Sequence, residues 1–123
     1  FVPFNQLDDI NHAVVLYIDG TPVAGGGLRR INATTAEIKR IFVAPQFRGR
    51  GLSKILMREL EERALRLRYD RLILETGYLL EASVGLYTSV GFTQIENFGP
   101  YVGMSESLCM GKEIGIQRDA QPD

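Results

Sequence analysis

The chain predicts a single domain of the α+β (mixed α/β) class, and three observations carry that prediction. Two apolar strand-like runs meet at an Asp-Gly turn. One long amphipathic helix lies between two further strand-like runs. No repeat, linker or low-complexity tract divides the chain. A length of 123 residues is enough for one real core.

The elements follow in order. "HAVVLYIDGTPVAGGGLRRI" reads as strands over 13–18 and 22–31, and "DGT" carries the hairpin signal. Gly25, Gly26 and Gly27 inside the second run mark a bulge or a close backbone approach. "TTAEIKRIFVAP" is a third strand over 35–43, stopped by Pro45, which cannot donate to a sheet ladder. Leu52, Ile55, Leu56, Leu60, Ala64 and Leu67 recur at helical spacing and form an apolar stripe. "DRLILETG", 70–77, is a buried strand, so strand, helix and strand make a βαβ-like unit. "EASVGLYTSVGF" is a shorter helix over 81–90, ended by Gly91. "TQIENF" and "SLCMGKEI" are two further strands, joined by the turn-rich "GPYVGMSE". The expected domain covers 1–117, and the polar tail 118–123 is expected to be disordered.

Composition excludes several classes. Net charge is -1, which gives no overall attraction to nucleic acid or to an anionic membrane. No apolar run approaches the roughly 20 residues needed to span a bilayer. The start, "FVPFNQLDDINH", has neither a basic n-region nor a long apolar h-region. The single cysteine, Cys109, permits no internal disulfide, which suits a reducing, cytoplasmic setting.

The chemistry concentrates in "QFRGRGLSKILMREL". The first four N–H groups of a helix lack intrahelical partners, and the macrodipole adds about half a positive charge there. Most helices answer with an acid or a hydroxyl cap. Here Arg48, Gly49, Arg50 and Gly51 precede Leu52, and the first acid downstream is Glu59. An already positive end is made more positive, and glycine leaves its amides approachable. A surface loop with solvated arginines is one interpretation. A bound phosphate or pyrophosphate is the other. The spacing matches neither a P-loop nor a dinucleotide fingerprint, whose third glycine falls at Lys54.

Gln46-Phe47-Arg48-Gly49-Arg50-Gly51 does match Q/R-x-x-G-x-G/A, the acyl-CoA pyrophosphate loop of the GCN5-related N-acetyltransferase (GNAT) family. The stretch from "AEIKRIFVAP" to "LILETG" resembles that family's central strand–loop–helix–strand unit, and "GLYTSVGF" resembles its L-Y-x-x-x-G-F segment. The likeness runs from about His12 to Ile114, and "FGPYVG" and the closing strand are similar to small bacterial members. It implies a mostly antiparallel twisted sheet with two splayed parallel strands and flanking helices. The strand and helices that open the family fold are expected to be missing ahead of His12.

The resemblance also implies a function, acetyl transfer from acetyl-CoA to a primary amine by direct attack. The loop and first helical turn (Gln46, Arg48, Gly49, Arg50, Gly51, Leu52 and Ser53) would hold the pyrophosphate, mainly through backbone. Ile41, Phe42 and Val43 would line the pantetheine arm. Tyr87, the tyrosine of the L-Y-x-x-x-G-F segment, would be the acid at the departing sulfur. Its structural alternative is packing with Leu86 and Phe92. Glu37 would be the general base; its alternative is pairing with Lys39 or Arg40 on a half-exposed strand. Glu75 and Glu81 are weaker substitutes for the base. Phe42 and Tyr101 are candidates for the acceptor pocket. His12 and Cys109 are expected to be structural, and no metal is implied. Family members often carry asparagine where this chain has Leu80. Competing functions are a non-catalytic acyl-CoA sensor and an interaction domain for phosphoproteins or nucleic acid. Monomer and homodimer are both open.

Overall fold

The computed structural model describes residues 10–115. The expected tail and the first nine residues lie outside that range. Within it, the strands are β1 (His12–Ile18), β2 (Thr21–Arg30), β3 (Thr35–Val43), β4 (Arg71–Gly77), β5 (Thr93–Ile95) and β6 (Ser107–Glu113). The helices are α1 (Leu52–Arg66) and α2 (Glu81–Ser89), and short 3-10 turns occupy Pro45–Phe47 and Gly99–Tyr101. The strands form one sheet in the order β1-β2-β3-β4-β6-β5, antiparallel except where β3 meets β4.

Local chemistry sets most of these elements. Asp19 (φ 48°) and Gly20 (φ 79°) both take positive φ, the backbone that a two-residue hairpin turn requires between Ile18 and Thr21. The glycine run in β2 serves both roles expected of it. The β2–β3 register shifts between Gly25 and Gly27. A Cβ on Gly25 would sit 2.7 Å from the Phe42 ring, and one on Gly26 would sit 2.6 Å from Ile41 Cδ1. Side chains of β3 therefore lie across the bare β2 backbone.

The core lies between the sheet and α1. Leu28, Leu56, Leu60, Leu72 and Leu74 are buried with Ile38, Met57, Tyr87, Phe92 and Met110. The inward stripe of α1 departs from the expected one. Met57 is buried, whereas Ile55 is 38% exposed. The α1 axis is rotated so that positions 56, 57, 60 and 64 face the sheet, a choice made by the sheet's own side chains. The strand expected over "TQIENF" is also shorter. Only 93–95 pair with β6, because Asn97 turns back to bond the following loop.

The feature that shapes the site is the β3–β4 junction. The two strands pair in parallel at only three positions, Thr35 with Arg71, Ala36 with Leu72 and Glu37 with Ile73. Beyond Glu37 they separate. Just past that point Arg40 takes φ 62°, and β3 carries one extra residue against β2 between Lys39 and Phe42. Such a bulge bends and twists its strand, and it turns β3 away from β4. The expected splayed parallel pair is thus present and has a local cause.

The helix packing can be tested directly. Leu60→Ala should cost about 2–5 kcal/mol of unfolding free energy, the range for a fully buried leucine. Ile55→Ala should cost about 1 kcal/mol or less, as expected for an exposed position. Urea denaturation of the two variants measures both.

Candidate active site

The gap between the splayed strands is a cavity of about 240 Å³ lined by Glu37, Ile38, Lys39, Arg40, Ile41, Leu74, Glu75, Tyr87 and Tyr101. It passes between strands, so both faces of the sheet contribute. Ile38 and Leu74 belong to the core face beneath α1, and Tyr87 reaches the gap from that side. Glu37 and Glu75 belong to the opposite face. Glu37 stands opposite Arg29 on β2 and Ile73 on β4, while Glu75, two residues beyond Ile73, stands opposite Cys109 on β6. Paired residues share a face, as do residues two apart on one strand. Arg29, Glu37, Ile73, Glu75 and Cys109 therefore share that face in two adjacent registers, with Tyr101 lining the gap beside them.

A second cavity, about 200 Å³, lies at the start of α1 and is lined by Val43, Phe47, Arg48, Gly49, Gly51, Leu52, Ser53, Lys54 and Leu86. It adjoins the first, since Ile41 and Val43 on β3, and Leu86 and Tyr87 on α2, line one or the other. No side chain caps α1, and its first turn holds no acid. Its first recorded intrahelical bond runs from Ile55 N–H to the Gly51 carbonyl at 3.3 Å. Among the described residues the amides of Gly49, Arg50, Gly51, Leu52, Ser53 and Lys54 find no acceptor. Gly49 (φ 82°) and Gly51 (φ 77°) sit in the left-handed region, with open space where a Cβ would be. Backbone conformation, not crowding, demands glycine at both positions. A row of bare amides at a helix N-terminus, entered through two left-handed glycines, fits a diphosphate.

The basic side chains of the loop differ in what they do. Arg48 Nε donates to the Val43 carbonyl at 3.3 Å, tying the loop to the end of β3. Arg50 folds back over the Phe47 ring, 5.0 Å from its centroid. Gln46 and Arg50 do not line the cleft, whereas Phe47, Lys54 and Leu86 do. At the end of β3, Ala44 N–H donates to the Val23 carbonyl. Strand alternation turns the Val43 amide the other way, toward the gap. The Val43 amide is thus placed to pair with an extended ligand.

The catalytic candidates divide between the two faces. Tyr87 is 9% exposed, its ring 6.2 Å from Phe92, so it packs in the core and lines the gap at once. Burial pushes its phenol above the usual value of 10.0. Glu37 is 3% exposed, and Arg29 Nη1 donates to its Oε1 at 3.3 Å. The structural alternative read from the sequence paired it with Lys39 or Arg40 on a half-exposed strand. Cross-strand register supplies Arg29 instead. Tyr101 is raised by burial first, then by the Glu37 and Glu75 carboxylates and Cys109, with Arg29 opposing. Phe42 is 51% exposed and its ring covers Gly25, on the β1–β2–β3 side rather than in the gap. Cys109 is fully buried, as expected, and burial raises its thiol. His12 opens β1, Glu81 is exposed at the start of α2, and Leu80 is 57% exposed just before it.

Three contributors were not singled out from sequence. Asn97 Nδ2 reaches the carbonyls of Tyr101, Met104 and Ser107 at 3.0, 3.1 and 3.2 Å, which fixes the loop carrying Tyr101. Ser107 Oγ donates to Glu75 Oε2 at 2.8 Å. Arg29 holds Glu37. Asn97 was read as part of the strand "TQIENF", and nothing local announced its targets. Among the described residues no group of three or more His, Cys, Asp and Glu side chains could hold a metal ion, and no helix is long and apolar enough to cross a membrane.

Known proteins share this fold. A sequence profile of the acetyltransferase (GNAT) family matches residues 3–92. The chain belongs to the GNAT family. Among curated GNAT-like relatives, an IAA acetyltransferase of Azospirillum brasilense is 36% identical over 78 residues, 63% of this chain and 51% of that protein. The uncharacterized N-acetyltransferase YsnE of Bacillus subtilis is 31% identical over 99 residues, 78% of this chain and 66% of that protein. The chain thus spans from about half to two thirds of these relatives' length. A solved Klebsiella pneumoniae structure, described as an acyl-CoA N-acyltransferase, is 31% identical with TM-score 0.79, covering 83% of this chain and 71% of that one. A GNAT acetyltransferase of Elizabethkingia anophelis, solved with acetyl-CoA bound, shares the fold at 18% identity and TM-score 0.78, covering 89% of this chain and 80% of that one.

Two measurements test the site's construction. Gly51→Ala should destabilise the fold by about 1–2 kcal/mol through its left-handed backbone alone, and Gly51→Asn by less, because asparagine tolerates that region. Chemical denaturation compares them. The Tyr87 shift sets a pH dependence. A phenol whose folded pKa is raised keeps its proton longer in the native state. The stability it contributes is complete below about pH 10 and is lost as pH rises through the folded value. Tyr87→Phe should flatten the alkaline fall in stability, read as unfolding free energy between pH 9 and 11.

Proposed function

We propose that the chain is the catalytic part of an acetyl-CoA-dependent N-acetyltransferase. The observation that carries this is the pair of neighbouring cavities, one at the bare amides of the α1 N-terminus and one holding Tyr87 and Glu37 in the parted sheet. Gly49, Gly51, Leu52 and Ser53 offer their amides to the pyrophosphate, with Lys54 alongside. Val43 offers its amide to the pantetheine arm, and Ile41 lines the gap beyond it. When bound, acetyl-CoA supplies the thioester carbonyl and the thiol leaving group.

The chain's own residues handle the protons. A lysine-like amine with pKa of about 10.4 is free base in roughly one molecule per 10³ at pH 7, which adds about 4.6 kcal/mol to the barrier. Glu37 takes one proton from the acceptor ammonium, with Arg29 holding the carboxylate in place. The freed amine forms the C–N bond as the C–S bond breaks. Tyr87, kept protonated by burial, gives its proton to the departing sulfur. The second amine proton returns to the tyrosine. The acceptor is a primary amine of a small molecule or a protein. A cytoplasmic setting is supported by the lone, buried cysteine.

Three results check this reading. Acetyl-CoA or CoA at about 100 times its dissociation constant should add roughly 2.7 kcal/mol of stability and raise the melting midpoint by on the order of 5–10 °C. An equal shift with ATP would mean generic phosphate affinity. Gly49→Glu should abolish that shift by placing bulk and negative charge at the loop. Tyr87→Phe should lower kcat about 10- to 100-fold with cofactor affinity unchanged by calorimetry. Cofactor binding with no turnover of any amine would instead make the chain an acyl-CoA sensor.

A further inference from the structure

The β3–β4 register runs Thr35 with Arg71, Ala36 with Leu72 and Glu37 with Ile73. Extended by two residues, it would set Lys39 directly beside Glu75. A directly opposed Lys–Glu pair would stabilise a continuous ladder. Here the strands have parted, and no ion pair joins the two side chains. Both nevertheless line the same gap. Among the described residues neither has a partner of opposite charge. Ser107 orients Glu75 through Oε2 and leaves its charge uncompensated. The neighbouring carboxylate, Glu37, already has Arg29.

A cavity walled by two opposite, separated and uncompensated charges suits a ligand that carries both in complementary order. Partly desolvated charges without partners are costly, and a bridging ligand removes that cost on both sides. From this, and resting on the transferase reading, we infer that the acceptor is zwitterionic, a free amino acid whose ammonium meets Glu75 and whose carboxylate meets Lys39. The ammonium then lies between Glu75 and Glu37, on the acceptor side of the gap and across from Tyr87. Simple alkylamines satisfy only one wall. Amines bearing a neutral ester in place of the carboxylate leave Lys39 unmatched.

The test uses acetyl transfer by the whole chain to free amino acids, their methyl esters and the corresponding decarboxylated amines. Free amino acids should exceed their esters in kcat/KM by about 10- to 100-fold, the size of one charge-assisted hydrogen bond. Lys39→Gln should erase that preference, raising KM for the free acid by a similar factor while changing the ester by less than about threefold. Glu75→Gln should raise KM for acids and esters alike. Melting temperature and CoA affinity by calorimetry should match wild type in both variants. Equal turnover of acids, esters and simple amines, or a Lys39→Gln variant that keeps the preference, would overturn the inference and leave the transferase intact. No turnover of any amine by cofactor-loaded protein would overturn both.

Discussion

Everything functional in this fold depends on two parallel strands that stop pairing. β3 and β4 share three rungs and then separate beside the left-handed residue at Arg40. A non-glycine residue in that region costs on the order of 1–2 kcal/mol, and the separated edges forgo ladder bonds. The sheet tolerates this because its remaining seams are extensive. β4 pairs with β6 along its whole length, from Arg71 to Gly77, and β2 packs against both β1 and β3. Strain of this kind persists where surrounding structure over-determines it and is found where function needs it.

The same economy appears at the start of α1. A helix of fifteen residues begins without a cap, without an acid in its first turn and through two left-handed glycines. Its other end is conventional, with Arg63 and Arg66 against the negative pole. Packing of Leu56, Met57, Leu60 and Ala64 on the sheet holds the helix in place. Its N-terminus is therefore free to serve a ligand. Since β3 leads into the loop and α2 contributes to both, the cavity at the helix start and the parted sheet are neighbours. Tyr87 shows how closely core and site are joined. Its ring packs on Phe92, the residue lines the gap, and burial that stabilises the fold also keeps the phenol protonated.

The face of the parted sheet away from α1 is built differently. It carries polar pairs laid across the strands, with Arg29 against Glu37 and Ser107 against Glu75, under a loop that Asn97 ties down. Register brings these groups together: Arg29 and Glu37 meet across the β2–β3 pair, and Ser107 reaches Glu75 from 32 positions away. Because these groups take their positions from register, a one-residue slip of β3 or β6 would send them to the core face. Stability of the sheet and placement of the chemistry are thus the same requirement.

What the sequence determined by itself is local. The Asp19-Gly20 turn, the third strand over 35–43, the span of α1, the left-handed glycines and the uncapped helix start all follow from backbone preferences within a few residues. The anion loop and Tyr87 were legible because short motifs carry them. Only the tertiary structure decided that Glu37 is buried against Arg29, that Met57 and not Ile55 faces the core, that Phe42 covers a glycine outside the gap, and that Lys39 and Glu75 line one gap without forming an ion pair. Each of those depends on which residue of one strand stands beside which residue of another. That register is set by packing across the whole sheet, so no local run of residues encodes it.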